Sequence, residues 1–340
     1  LKKSKTAYLL TDTQTRNGLA RPIPLRWLTS AVVASMVALA MLMIHLRLSI
    51  AINGASAAFA VAAGTLFLVR YRFRADGPRP RPMLSNCAED VLLFSTIALA
   101  GAIASYAVAA CTEGWVDEAM VRFDRSIDFD WRDLYAVTAA HPILQISGRI
   151  VYASIFASPA ILLLSFNRHG QRAEARQFLA SFWLAALVSL FLFRFLPTLG
   201  PLSYMWHGPI SYMPTSGLYQ ADLIPMLREQ RMHVIDLAVL RGLVGPPSFH
   251  AASAVLYILA AWRTRKLRVP LTILNVAMLF SIPVEGTHYA IDVISGASVA
   301  LAAYLTVTFL AKAWLSTPAS DNDAAPYALH AGTKGGCQKA

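Results

Sequence analysis

The sequence predicts an all-α fold, a polytopic membrane helix bundle of about eight transmembrane helices with a six-helix core. Three observations carry this. The 340 residues are 56% hydrophobic and only 14% charged, whereas a soluble domain carries roughly a quarter charged residues. Apolar runs close to the ~20 residues that cross a hydrocarbon core recur along most of the chain. The basic residues gather in the short gaps between these runs, as membrane topology requires. The net charge of +11 therefore implies no nucleic-acid partner. Lipid leaves only helices or closed barrels as spanning structures, and runs this long and continuous exclude barrel strands.

In chain order, residues 1–26 read as a basic cytoplasmic segment. No cleavage pattern precedes the first apolar run, so that run is expected to stay as an anchor. Spans at 27–46 and 51–69 form two additional helices within 27–88. The core, 89–312, holds spans at 89–111, 143–165, 178–196, 248–262, 269–284 and 288–311. Loop 112–142 carries seven acidic residues between Glu113 and Asp133. It is expected to form one or two surface helices, with Trp115 and Trp131 as interface anchors. Loop 197–247, rich in Pro, Gly, Tyr and Met, is expected to form a partly helical cap. Residues 313–340 read as a disordered cytoplasmic tail.

An even number of spans puts both termini on one side. That side then holds 21 of the 30 Lys and Arg residues and the other side 9, so the termini are expected to be cytoplasmic. The spans at 248–262 and 288–311 then begin on the non-cytoplasmic (periplasmic or lumenal) side. Cys87, Cys111 and Cys337 form no CxxC pair, which argues against a disulfide framework or a zinc site. The spans at 248–262 and 269–284 are shorter than a bilayer core, so their outer ends are expected to stop below the surface and leave a concave polar site.

Two short motifs carry chemistry. Pro246-Pro247-Ser248-Phe249-His250 opens an apolar run. Ser248 is placed to cap that helix, whose N-terminal N–H groups and dipole bind phosphate, and His250 would sit in the first turn. The alternative is a capped helix with an interfacial histidine. In His288-Tyr289-Ala290-Ile291-Asp292 the i, i+4 spacing lets Asp292 hold the imidazole of His288. The second ring nitrogen is then free as nucleophile or base. The alternative is a buried polar pair joining two helices. Histidine and aspartate inside an apolar run are costly and default to functional readings. The topology also brings Arg194, at the end of the span 178–196, to the same membrane face.

At these residues the chain resembles the type-2 phosphatidic acid phosphatase superfamily of membrane lipid phosphatases and phosphotransferases. Its Pro-Ser-Gly-His motif is matched by Pro247-Ser248-Phe249-His250, with Phe in the Gly position. Its Ser-Arg-x5-His-x3-Asp motif is matched by Ser281, His288 and Asp292, with Ile282 in the arginine position. Of Lys-x6-Arg-Pro, Arg194 stands for the lysine and Pro201-Leu202 replaces Arg-Pro. Within the superfamily the chain is similar to the inositol phosphorylceramide synthase (aureobasidin-resistance) branch, on Phe195–Thr198, Phe249, His288–Asp292 and Asp124–Trp131.

The resemblance implies that His288 attacks phosphorus, Asp292 orients it, and His250 protonates the leaving alkoxide and then activates the acceptor. It implies no metal and no cofactor. Ser248 and Phe249 would bind the phosphate. Two family arginines are missing, and Arg241, Arg149 and Arg194 are the candidates to replace them. Glu285 either contacts an acceptor hydroxyl or caps the last helix. The implied partners are a membrane lipid donor (phospholipid or polyprenyl phosphate) and a hydroxyl acceptor or water, with transfer favoured over hydrolysis. The alternatives are a non-catalytic lipid-binding protein and a proton-coupled transporter. The latter would call for internal repeats, and none is evident.

Overall fold

The computed structural model describes residues 22–77 and 79–316. The basic segment before residue 22, the expected tail beyond 316 and Cys337 lie outside the described residues.

The chain opens with α1 (Leu25–His45), an apolar helix that turns Leu28 and Val32 inward. A two-residue strand, β1 (Ser49–Ile50), follows. Asn53 then starts α2 (Gly54–Arg72): its side chain accepts from the N–H of Ala55 at 3.0 Å and of Ser56 at 3.2 Å. The Ser56 hydroxyl accepts in return from the Asn53 N–H at 2.9 Å, a reciprocal capping box. Pro82 sits at the start of α3 (Pro82–Ala110), where its missing N–H costs nothing. Free cysteines Cys87 and Cys111 lie near opposite ends of α3.

The acidic loop forms two helices, α4 (Asp117–Ser126) and α5 (Trp131–Ala140), the latter capped by Asp130 accepting from the Arg132 N–H at 2.9 Å. Trp131 is not an interface anchor. It is fully buried, and its indole N–H donates to the Pro283 carbonyl at 2.7 Å. The tryptophan thus seals the inner side of the loop. Trp115 remains partly exposed under the Arg228 guanidinium.

The expected span 143–165 is broken into α6 (Pro142–Ala153) and α7 (Ala157–Arg168), bent by 41°. Pro159 in the first turn of α7 has no N–H for the Ile155 carbonyl, and the Tyr257 hydroxyl donates to that carbonyl instead at 3.2 Å. After α8 (Arg172–Phe193) the segment 197–247, called the cap below, is partly helical. It holds α9 (Pro201–Met205), α10 (Tyr219–Arg228) and a 3-10 turn (Leu237–Val239). A short strand, β2 (Val234–Ile235), pairs parallel with β1. The last helices are α11 (Phe249–Ala261), α12 (Arg268–Glu285) and α13 (Ala290–Ser316), the last running past the boundary expected at 313.

Among the described residues, six helices (α1, α2, α3, α8, α12 and α13) are each long and apolar enough to cross a membrane, and there are seven if the bent pair α6–α7 is one broken span. The remaining expected span is α11. Its 13 residues rise only about 20 Å at 1.5 Å each, short of a core ~30 Å thick.

The main core joins α3, α7, α8, α11 and α13 through Leu162, Phe166, Phe178, Phe182, Tyr257 and Ala300. Buried alanines on α11 (Ala251, Ala252, Ala254, Ala260 and Ala261) let α12 and α13 approach closely. A second cluster, including Tyr106, Phe193, Ile224 and Leu243, seats the cap on α3 and α8.

One end of the bundle holds a buried charge network. Glu89 on α3 accepts from Arg70 Nε at 2.6 Å, from Arg172 at 2.7 Å and from Arg176. Asp90 accepts from Arg172 and Asn167 at 2.8 Å each. Arg70, Arg172 and Arg176 entered the sequence tally as topology charges. Arg176 is buried, because two carboxylates one residue apart on α3 gather the arginines of α2 and α8.

Candidate active site

At the opposite end, the start of α11 meets the start of α13. The Ser248 N–H donates to the Asp292 carbonyl at 2.9 Å, and the Ser248 hydroxyl accepts from the Ala251 N–H at 3.4 Å, the expected N-cap. This junction requires Gly296: a Cβ there would lie 2.2 Å from the Ser248 carbonyl oxygen. The N–H groups of Phe249 and His250 have no acceptor among the described residues. Unpaired first-turn N–H groups are what binds anions at a helix N-terminus. The Phe249 ring itself packs edge-on against Phe182, 5.2 Å between centroids, so only its backbone is available at this helix end.

α12 ends at Glu285. Thr287, at φ +51°, turns the chain, and the His288 N–H donates to the Pro283 carbonyl at 3.1 Å. His288 thus stands on the turn before α13, not on a helical face shared with Asp292. Asp292, in the first turn of α13, reaches back as a cap. Its Oδ2 accepts from the Tyr289 N–H at 3.1 Å and lies 3.1 Å from His288 Nδ1. Both side chains are buried, and His288 Nε2 has no protein partner among the described residues.

Tyr152 on α6 links the two motifs. Its ring stacks on His250, 4.3 Å between centroids and 12° from parallel. Its hydroxyl lies 3.3 Å from His250 Nδ1 and 3.3 Å from the Ser216 hydroxyl. The close packing over Gly286 joins both sides: a Cβ there would clash with His288 Cδ2 at 2.6 Å and the Ile282 carbonyl at 2.8 Å, and would lie 3.2 Å from the Tyr152 hydroxyl. The two histidines therefore flank one spot at one end of the bundle.

Two aspartates of α4 complete the frame. Asp124 accepts from the N–H groups of Ala290 at 2.9 Å and Ile291 at 3.1 Å, so α13 is capped from another helix. Asp117 accepts from the N–H of Leu199 and Gly200 and from the Tyr289 hydroxyl at 2.8 Å. Burial raises both carboxyls above their usual range, against the hydrogen bonds that favour ionisation.

Glu285 does not cap the last helix, since Asp124 and Asp292 do. It is buried and accepts from the Tyr212 hydroxyl, the Thr215 N–H at 3.1 Å and the Thr215 hydroxyl at 2.6 Å. It thereby straps loop 212–217 beside the site. Burial first, then Glu285, pushes the Tyr212 hydroxyl up to about 12.

The three candidate arginines have partners outside the two histidines. Arg149 donates to the Tyr212 hydroxyl at 3.0 Å and the Met213 carbonyl at 2.8 Å. Arg241 lies over the Tyr219 ring at 4.7 Å, and Arg194 is 3.7 Å from Glu113. Arg149 and Arg241 thus flank the strapped loop and its neighbour Tyr219, whereas Arg194 pairs away from it.

Such a constellation has the parts for phosphoryl transfer: a carboxylate-held imidazole with one open nitrogen, a second imidazole, and free helix N–H groups. The model of one family, described as the PAP2 superfamily, matches residues 118–306. The chain belongs to the PAP2 superfamily. Comparison with curated proteins and with solved structures gives no match. The PAP2 match runs from α4 into α13, takes in His250, His288 and Asp292, and leaves α1–α3 outside. Membership and the apolar helices together make this a multi-pass membrane protein of the phosphatase type. Sequence reasoning missed Tyr152, Ser216, Asp117 and Tyr289 as parts of the site. Asp124 lay in a stretch singled out only for its resemblance.

Proposed function

We propose that this chain is a lipid phosphotransferase or phosphatase working through a phosphohistidine on His288. The observation that carries the reading is the His288 ring, held at Nδ1 by Asp292 with Nε2 unpartnered, bordering the spot that the Tyr152 hydroxyl shares with His250. His288 Nε2 attacks phosphorus while the bond to the leaving oxygen breaks, and His250 gives that oxygen a proton. An acceptor hydroxyl then passes its proton to His250, attacks phosphorus and releases His288. The N–H groups of Phe249 and His250 would hold the equatorial oxygens. A lipid or polyol hydroxyl as acceptor gives transfer and water gives hydrolysis. The likeness of Phe195–Thr198, Phe249 and Asp124–Trp131 to the inositol phosphorylceramide synthase branch favours transfer. The Lys and Arg tally supports cytoplasmic termini and a site opening to the periplasmic or lumenal leaflet.

The test is purified protein with labelled phosphatidylinositol, phosphatidate and polyprenyl phosphate, with and without inositol-type or lipid hydroxyl acceptors, in the presence of EDTA. Headgroup release or transfer that resists EDTA is expected. Activity lost with EDTA and restored by zinc or magnesium would overturn the metal-free scheme. One observation favours a second reading, a non-catalytic lipid-binding protein: Arg149, Arg194 and Arg241 all pair outside the histidine pair. His288→Ala separates the two, since a binder keeps its lipid affinity and has no turnover to lose.

A further inference from the structure

We infer that Tyr152 is a positioning residue for His250: it sets which nitrogen of that ring exchanges protons and so governs leaving-group protonation. The inference rests on the phosphohistidine reading above. A histidine that first gives and then takes a proton must do both through the nitrogen facing phosphorus, and its other nitrogen must keep a proton throughout. In the structure that other nitrogen is Nδ1, 3.3 Å from the Tyr152 hydroxyl. With the tyrosine oxygen as acceptor, Nδ1–H is retained in both the charged and the neutral ring, and Nε2 alone cycles. The tyrosine proton then has its own acceptor, the Ser216 hydroxyl at 3.3 Å.

The near-parallel stack places the Tyr152 π face against the ring that must carry positive charge before it donates. Ser216 is in turn held. Its N–H donates to the Glu285 carbonyl at 2.9 Å, and the Glu285 side chain straps Thr215 and Tyr212. The buried carboxylate that the sequence suggested as an acceptor contact thus fixes the loop that orients Tyr152, which orients His250. The step balances. The Nε2 proton moves to the departing alkoxide as the P–O bond breaks and the bond from His288 Nε2 to phosphorus forms, leaving an alcohol and neutral His250.

The experiment compares kcat/KM for two phosphate monoesters, dioctanoyl phosphatidate and p-nitrophenyl phosphate, in wild type, Tyr152→Phe and Tyr152→Leu. An alkoxide needs a proton to leave and a nitrophenolate does not. General acid catalysis contributes about 10²–10⁴-fold, so Tyr152→Phe, which keeps the stack, is expected to slow the alkyl ester about tenfold more than the aryl ester. Tyr152→Leu should widen that gap. The ratio of the two rates does not depend on the fraction of protein folded, so a poorly folding variant still discriminates between the outcomes. Equal slowing of both esters would overturn the role of Tyr152 and leave the phosphohistidine reading standing. A wild type inert on both esters, and on phosphatidylinositol and polyprenyl phosphate with hydroxyl acceptors present, would overturn that reading itself.

Discussion

The bundle buries charge at both ends, and the two ends use their polar atoms differently. Around Glu89 and Asp90, carboxylates and guanidinium groups of α2, α3 and α8 answer one another. Around Asp292 and Asp124, the carboxylates answer backbone N–H groups and one imidazole nitrogen. Both histidines there keep Nε2 unpartnered among the described residues. Intramembrane charge alone therefore does not mark a reaction centre in this chain. On the reading proposed above, an open nitrogen beside unpaired helix N–H groups does, whereas mutually paired ions join helices.

That contrast can be broken by substitution. The largest effect expected is on turnover: His288→Ala should lower lipid phosphate release or transfer on the order of 10⁴-fold or more, with the protein still monodisperse in detergent. At the other end, Arg176→Met removes the most buried of the three guanidinium groups on Glu89 and leaves the carboxylate to Arg70 and Arg172. Losing a hydrogen bond to a charged group costs about 1.5–3 kcal/mol, so a clear fall in the thermal midpoint is expected while activity per folded molecule stays at the wild-type value. Loss of turnover in that variant at full stability would erase the distinction between the ends. Asp292→Asn should keep the fold and reduce turnover about 10²-fold or more, because the amide no longer holds Nδ1–H. The smallest effect is that of Asp124→Ala, which uncaps α13 and should cost about 1–2 kcal/mol. It is read as a lower melting temperature with the alkyl-to-aryl rate ratio unchanged.

Much of this was legible in the sequence. The apolar runs mark the helices long enough to span as well as the shorter α11, and the Pro-Pro-Ser start marks the cap of α11. His288 and Asp292 announce their contact by spacing, although the cause is a turn plus a capping carboxylate, not one helical face. The remainder depended on partners far apart in the chain. Nothing local distinguishes Trp131, bonded to the Pro283 carbonyl, from an interfacial tryptophan. Nothing local shows that Asp124 caps a helix beginning at Ala290, or that Tyr152 reaches His250. The partners of Arg149, Arg241 and Arg194, namely Tyr212, Tyr219 and Glu113, were likewise not readable.

The most direct measurement is to trap the intermediate. Purified protein is mixed with phosphatidate labelled in its phosphate, quenched in alkali and digested, and the labelled peptide is sequenced by mass spectrometry. An acid-labile, base-stable phosphate on His288 is expected, absent from His288→Ala and accumulating in His250→Ala with an aryl ester. Steady turnover with no label on His288, or with label on another residue, would contradict the account.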